Sequence, residues 1–315
     1  MQIAMIGLGR MGRNMARRLV RGRHSVILYD RSQEQAVEAA KEMRGARVAT
    51  SLEEMSGLLK PPRVVWLMIP AGKPVDDTID RLEKVLGKKD LVIDGGNSFY
   101  KDDIRHARQL GESGIKYMDV GVSGGIWGLK EGYCLMAGGD KKDHNHIEPI
   151  LKTLAAKEGY LYCGPVGAGH FVKMVHNGIE YGLMAAYGEG FEILHSSPYS
   201  ANLDLGKIAH LWNRGSVVRS WLLELVEDVF TRDKDLSGIK GYVEDSGEGR
   251  WTVEQAIESG VPAPLTAISL FERFRSRKDD SFSDKLQAAL RREFGGHAVV
   301  DENVKQGRGR SRGAR

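Results

Sequence analysis

The chain of 315 residues has two cysteines, almost no charge excess and no long apolar run. Cys134 and Cys163 supply neither a disulfide framework nor a metal-binding spacing. They read as small buried residues of a protein kept in a reducing compartment, which points to the cytoplasm. No apolar stretch approaches the roughly 18 residues of a membrane span, which excludes a helical membrane protein. The first strand is expected from Gln2, leaving no room for a signal peptide ahead of it. The 46 Lys and Arg residues nearly balance 42 Asp and Glu, for a net charge of +4. Part of that excess sits in the Gly/Arg-rich end Lys305–Arg315. Such a segment cannot bury a core, so residues 301–315 are expected to form a disordered basic tail. The tail offers nucleic acid an electrostatic contact, but the nearly neutral body does not read as a nucleic-acid binder. No short-period repeat is evident.

What is present is a chain of two halves. Hydrophobic residues make up 41% and charged residues 28%, enough for a sizeable core under a water-compatible surface. The first half alternates short apolar runs with amphipathic ones. Ile3–Ile6, Ser25–Tyr29, Val64–Ile69, Leu91–Ile93 and Lys116–Val120 have strand patterns, and Met11–Val20, Gln33–Met43, Lys73–Leu86 and Asp102–Leu110 have helical ones. Tyr133–Ala137 and Tyr160–Cys163 are further candidate strands around a helix near His146–Leu154. This alternation predicts an α/β domain, a Rossmann-type doubly wound parallel sheet covered on both faces. After Gly167 strand signals nearly vanish. Helical patterns follow over 169–194, 204–214, 216–230, 253–258, 264–277 and 283–294. The expected division is a dinucleotide-binding domain over 1–165 and an all-helical substrate and oligomerisation domain over 166–300. Gly and Pro punctuate the boundary near Cys163–Gly167.

The segment Gly7-Leu8-Gly9-Arg10-Met11-Gly12 follows a strand and opens a helix. Gly7 permits the tight turn, Gly9 lets a pyrophosphate approach the backbone, and Gly12 lets helix pack on strand. The helix N-terminus turns free N–H groups and a positive dipole end toward the phosphates. The second strand ends at Asp30, 23 residues after Gly7, placed to accept hydrogen bonds from the adenosine ribose. Its carboxylate would repel a 2′-phosphate, so NAD is the expected cofactor. Arg31 keeps NADP as the alternative, because a guanidinium pairs with phosphate or stacks on adenine. After the strand ending at Ile69, Pro70 and Ala71 are positioned to wall the cofactor.

Three further segments carry polar residues that a core would not want. Asp94-Gly-Gly-Asn97-Ser98 follows a strand; Asn97 offers a donor and an acceptor, but an Asn-capped helix start explains the same spacing. In Gly121-Val-Ser123-Gly124-Gly125, backbone N–H groups and a hydroxyl could meet a carboxylate, although a flexible loop reads the same way. In the helical run from Gly169 to Tyr181, Lys173, Asn177 and Glu180 fall at i, i+4 and i+7, flanked by His176 and Tyr181. A surface pairing is the plain explanation of such a stripe. The functional one is a base, donors and an acid beside a cofactor, since burial lowers a lysine pKa toward a usable range.

Taken together, these segments resemble 6-phosphogluconate dehydrogenase, in a short form with one helical domain. The resemblance runs from residue 2 to about 300 through Gly7–Gly12, Asp94–Ser98, Gly121–Gly125 and Lys173-Met-Val-His-Asn-Gly-Ile-Glu-Tyr181. Gly249-Arg-Trp-Thr252, Phe271-Glu-Arg273 and Arg291-Arg-Glu-Phe-Gly-Gly-His297 extend it. It implies metal-free oxidative decarboxylation of 6-phosphogluconate to ribulose 5-phosphate and CO2, with Lys173 as general base and Glu180 as general acid. By the same resemblance Asn97 lies between cofactor and substrate. Ser123, Gly124, Gly125, His176 and Asn177 would hold the sugar acid, and Tyr181, Arg273, Arg291 and His297 its phosphate end. The family residues matching Arg291 and His297 reach into a neighbouring subunit's site, which implies a homo-oligomer, at least a dimer.

The chain also departs from the family pattern. It has room for one copy of the helical domain that the long form duplicates. Two of that form's phosphate-side residues are replaced by Ser246 and Glu248, so their roles are not carried over. Asp30-Arg-Ser32 stands where the NADP-type form has Asn-Arg-Thr, which again favours NAD. The competing readings are another β-hydroxyacid dehydrogenase, such as one for 3-hydroxyisobutyrate, and a non-catalytic nucleotide-binding protein. The former typically has Asn-Asn in place of the His-Asn after the lysine and lacks the Arg…Phe-Gly-x-His end.

Overall fold

The structure, a computed structural model, describes residues 1–300. The expected disordered tail over 301–315 lies outside the described residues. In chain order the elements begin β1 (Gln2–Ile6), α1 (Arg10–Arg21), β2 (Ser25–Tyr29), α2 (Gln33–Lys41), β3 (Arg47–Val48) and α3 (Leu52–Leu58). They continue with β4 (Val64–Leu67), α4 (Lys73–Val85), β5 (Leu91–Asp94), α5 (Tyr100–Glu112), β6 (Lys116–Ser123) and α6 (Gly128–Glu131). Next come β7 (Tyr133–Gly138), α7 (Lys141–Leu154), β8 (Ala155–Gly164) and the long α8 (Ala168–His195). Last are α9 (Leu205–Trp212), α10 (Trp221–Arg232), α11 (Glu248–Glu258), α12 (Pro264–Arg275) and α13 (Phe282–Gly295). The chain forms two compact units. The first is Met1–Ser197 with Ser246–Ala267, and the second is Pro198–Asp245 with the described residues from Ile268 on.

In the first unit the eight strands form one sheet in the order β3-β2-β1-β4-β5-β6-β7-β8. Side chains alternate between its faces, and both faces are covered, so the central strands are apolar at nearly every position. Ile3, Met5, Val26, Leu28, Trp66 and Ile93 pack against α1, α2 and α7 on one side. Ala4, Ile6, Ile27, Val65, Leu67 and Val92 pack against α3, α4 and α5 on the other. Met15 and Leu19 of α1 and Ile79 and Leu82 of α4 are fully buried. Each such side chain contributes about 1.5–3 kcal/mol relative to exposure. The strand order reverses between β1 and β4, and there the carboxyl ends open a crevice of the kind that binds ligands in such sheets.

Several details differ from the sequence expectation. The sheet is parallel as expected except at one pair, where β7 runs antiparallel to β6. A parallel crossover needs a dozen or more residues, and the stretch between Ser123 and Tyr133 is too short for one. β3, α3 and α6 were not anticipated; they are too short to show periodicity, although Ser51 caps α3 by accepting from the Glu54 amide. α10 starts at Trp221 and not near Ser216, because Ser220 is extended and caps the helix through the Leu223 amide. The cysteines, expected to be buried, are not: Cys134 is exposed and Cys163 half-buried, both free. They lie on β7 and β8, the last two strands at one edge of the sheet.

The second unit is helical. His210 of α9 meets Glu227 of α10 at 2.8 Å, and Phe230 and Leu223 of α10 are buried. No helix among the described residues is long and apolar enough to cross a membrane.

Candidate active site

The crevice is built from the glycine loop upward. Gly7 has φ of 90°, and a Cβ there would lie 2.5 Å from the Met68 carbonyl oxygen. Glycine is therefore required both by conformation and by the approach of β4. A Cβ on Gly12 would meet the Gly7 oxygen at 2.0 Å, whereas one on Gly9 would meet nothing within 4 Å. The space over Gly9 is thus open for a ligand lying on the backbone. α1 has no side-chain cap and no acidic residue in its first turn. Its unspent amides and positive dipole end remain for an anion.

Asp30, at the end of β2, accepts from the Leu8 amide at 2.7 Å and the Ser32 amide at 2.9 Å. These two bonds fix the carboxylate at the rim of the glycine loop, with acceptor capacity left on both oxygens. Arg10 and Arg31 are exposed and Met11 is half-buried. Across the crevice Ile69 packs on the core, Pro70 is exposed and Ala71 half-buried. A pyrophosphate, a ribose and an apolar wall are all provided for, so these residues fit a dinucleotide.

The polar stripe of α8 lies beside the carboxyl ends of β5 and β6. Lys173 is only 8% exposed. It passes close over β6, where a Cβ on Gly121 would lie 2.5 Å from the Lys173 Cβ. Its ammonium donates a short hydrogen bond to Asn97 Oδ1 and stands 3.6 Å from Glu248 Oε1. Burial lowers the Lys173 pKa, against the opposing pull of Glu248 and Glu180. Asn97 Nδ2 reaches the Ser246 carbonyl at 3.4 Å, and Asn177 Nδ2 donates to Glu248 Oε1 at 2.6 Å. His176 Nδ1 faces Asn177 Oδ1 at 2.9 Å and Glu180 Oε2 at 3.9 Å, with Glu180 half-buried. Tyr181 is buried, and its hydroxyl accepts from the Ser246 amide at 3.2 Å. Ser123 ends β6, and Gly124 and Gly125 both have positive φ, which turns the chain sharply there.

Arg273, Arg291 and His297 belong to the second unit. Arg273 donates to the Glu244 carbonyl at 2.8 Å. Arg291 on α13 and His297 just beyond it are exposed.

Sequence reasoning missed two groups. One is Glu248, set aside as a departure from the family pattern and found buried against Lys173 and Asn177. The other is a buried network beneath the β5 and β6 ends, complete at its carboxylates but with His170 Nε2 left without a partner. Asp103 of α5 accepts from the Tyr117 hydroxyl at 2.8 Å and meets His170 Nδ1 at 2.7 Å. Asp94 accepts from Ser98 and the Gly96 amide, and Asp119 from the Gly167 and His170 amides. Burial pushes the Asp103 carboxyl up to about 7 despite the histidine beside it. Burial opposes charge on His170 too, yet Asp103, with Asp94 and Asp119, raises the imidazole to about 9. Asp94, Asp103 and His170 have ligand atoms within 4.8 Å of one another, but the bond between Asp103 and His170 commits the facing atoms to each other. The network anchors the first turn of α8, and so the position of Lys173 one turn on.

Comparison with known proteins accords with this geometry. Residues 2–166 match the NAD binding domain of 6-phosphogluconate dehydrogenase, and residues 169–306 match the C-terminal domain of 6-phosphogluconate dehydrogenase. The chain is 44% identical to the NAD(+)-dependent, decarboxylating 6-phosphogluconate dehydrogenase of Haloferax volcanii, over 95% of this chain and 99% of that one. It is 40% identical to the NADP(+)-dependent, decarboxylating 6-phosphogluconate dehydrogenase of Bacillus subtilis, over 87% of this chain but 61% of that one. Among solved structures, the Plasmodium falciparum 6-phosphogluconate dehydrogenase matches with a TM-score of 0.80 at 31% identity, over 96% of this chain and 67% of that one. With both of its domains matched in order, and a relative matched along nearly the whole of both lengths, the chain belongs to the 6-phosphogluconate dehydrogenase family.

Proposed function

We propose that the protein oxidises and decarboxylates 6-phosphogluconate to ribulose 5-phosphate and CO2, using NAD. The observation that carries this reading is Lys173, a buried amine whose pKa burial lowers, beside a dinucleotide crevice and within reach of a second ionisable group, Glu180. When bound, the nicotinamide supplies the hydride acceptor. Lys173 takes the proton of the C3 hydroxyl as the C3 hydrogen departs with its electron pair, leaving a 3-keto acid. The lysine, now an ammonium, donates to the keto oxygen and stabilises the charge that gathers there as the C1–C2 bond breaks and CO2 leaves. Glu180 then protonates the former C2, which is C1 of the product. Asn97, Ser123, Gly124, Gly125, His176 and Asn177 hold the sugar acid. Tyr181 and Arg273, with Arg291 and His297 of the partner subunit, take the phosphate end, since guanidinium forks match phosphate oxygens.

The fixed carboxylate of Asp30 supports NAD over NADP, because a 2′-phosphate beside it would face like charge. The dependence on NAD(+) named for the Haloferax relative supports the same choice. We also read residues 1–165 as the cofactor domain and 166–300 as the substrate and oligomerisation domain, in an enzyme of the cytoplasm. A homo-oligomer is supported by the exposed stripe of Val172, Ile179 and Leu183 along α8. The test is formation of reduced cofactor with 6-phosphogluconate, offering NAD and NADP separately at matched concentrations. The expected result is a rate with NAD well above that with NADP. A rate mainly with NADP would transfer cofactor choice from Asp30 to Arg31. No rate with either would overturn the reaction and return the unphosphorylated β-hydroxyacids.

A further inference from the structure

Glu248 is 3% exposed, yet one of its carboxylate oxygens, Oε2, is buried without a hydrogen-bond partner. The other, Oε1, receives the Asn177 amide at 2.6 Å and faces the Lys173 ammonium at 3.6 Å. Burying a charge with one oxygen unsatisfied is costly unless an opposite charge compensates it. The side chain is therefore poorly explained as filler at the start of α11. The backbone around it is built to hold it in place. The Thr252 hydroxyl bridges the Glu248 and Met174 carbonyls, and a Cβ on Gly249 would lie 2.5 Å from the Tyr181 ring. α11 is thus pressed onto α8 with the Glu248 carboxylate over the turn that carries Lys173 and Asn177.

We propose that Glu248 is a positioning residue for Lys173, its buried carboxylate pairing with the ammonium and aiming it, together with Asn97, at the place where the substrate hydroxyl is deprotonated. This rests on the functional reading above. The two charged groups acting on Lys173 are Glu248 from α11 and Glu180 from its own helix. The loop after β5 brings the neutral Asn97, and β6 brings Gly121. His176 is turned to Asn177 and Glu180. Asp94, Asp103, Asp119 and His170, from β5, α5, β6 and the start of α8, close on one another. A positioning carboxylate makes a prediction that a mere helix tie does not. It favours the charged amine, so removing its charge must let Lys173 lose its proton at lower pH.

The experiment compares the pH dependence of kcat/KM for the wild type, Glu248→Gln and Glu248→Asp, the acid limb reporting the base of the free enzyme. The limb should move to lower pH by about one unit in Glu248→Gln. It should move in the same direction by less in Glu248→Asp, which keeps the charge but withdraws it. A limb that stays in place, or moves up, while rates fall at every pH would overturn the proposal. Competitive acetylation of Lys173 as a function of pH, read by mass spectrometry on the full chain, gives the same comparison without turnover. Failure of the wild type to oxidise 6-phosphogluconate would count against the functional reading, while the labelling curves still decide the Glu248 pairing. If Glu248→Gln does not fold, an unshifted Glu248→Asp curve is sufficient to overturn it.

Discussion

Two buried polar clusters lie side by side in the first unit, and their carboxylates are satisfied to different degrees. Around Asp103 and His170 both oxygens of each carboxylate, on Asp94, Asp103 and Asp119, meet partners at 2.7–2.8 Å, and the atom left without a partner is the far ring nitrogen, His170 Nε2. Around Lys173 the contacts are unequal, with an ion pair at 3.6 Å, a carboxylate oxygen that has no donor, and half-buried neighbours in His176, Asn177 and Glu180. A cluster whose carboxylates are closed in this way spends their hydrogen-bonding capacity on the fold and fixes where elements meet. One with a carboxylate oxygen left over keeps acceptor capacity for a ligand. The difference separates a cluster that positions α8 from one that acts on what enters beside it.

The largest expected effect comes from removing the amine at the open cluster. Lys173→Met keeps the length and the apolar stem but deletes the base, and should lower kcat by about 10²–10⁴-fold, the usual worth of a positioned general base. Binding of reduced cofactor, followed by its fluorescence, should stay near that of the wild type, because the glycine loop and Asp30 are untouched. Near-normal turnover would remove Lys173 from the chemistry and leave the two clusters alike.

At the closed cluster the same logic predicts a loss of stability. Asp103→Asn removes the counter-charge of His170 and leaves one acceptor oxygen where Tyr117 and His170 used two, and breaking a buried pair from one side costs about 3–5 kcal/mol. Its pH dependence follows from the raised proton affinity of the pair. His170 goes from its ordinary 6.5 to about 9 on folding. The stability it contributes is complete below pH 6.5 and is lost as pH rises through about 9. Asp103, raised from 3.8 to about 7, acts in the same direction over its own range. The gap in melting temperature between wild type and Asp103→Asn should therefore narrow from pH 6.5 to above pH 9. A gap that widens over that window would mean the histidine is not held as a cation.

The contrast also marks what was legible in the sequence. The strands and the glycine loop announce themselves through short-range pattern: alternation on both faces, glycines at fixed offsets, and an acid at the end of the second strand. The stripe of Lys173, Asn177 and Glu180 was legible because helical spacing brings residues three, four and seven apart onto one side. Glu248 was not, because its partners lie on a helix far earlier in the chain and its own setting, between glycines, looks like a loop. Asp103 was hidden for a related reason. In Tyr100-Lys-Asp-Asp103 it resembles an ordinary acid of a helix first turn, and nothing local announces His170. The antiparallel β7 was legible only through the shortness of its connection. The exposure of Cys134 depends on where the sheet's covering ends, which composition does not report.

The smallest expected effect tests the tie that holds the open cluster together. The Thr252 hydroxyl lies 2.9 Å from the Met174 carbonyl of α8 and 2.7 Å from the Glu248 carbonyl, while its methyl sits against Gly178. Thr252→Val keeps the branched shape and deletes the hydroxyl, a change worth about 1 kcal/mol for a hydrogen bond of this kind. Because α11 is one element of a larger unit, the loss should be read locally. Amides of α11 should exchange with deuterium about five-fold faster, the equivalent of that 1 kcal/mol, while those of β1 and β4 keep their wild-type rates. Thr252→Ser should restore protection in α11, since it returns the hydroxyl without the methyl. Equal acceleration in the sheet would show that α11 shares the cooperative stability of the core. The open cluster would then be as firmly built as the closed one, and its unsatisfied oxygen could not be credited to looser packing.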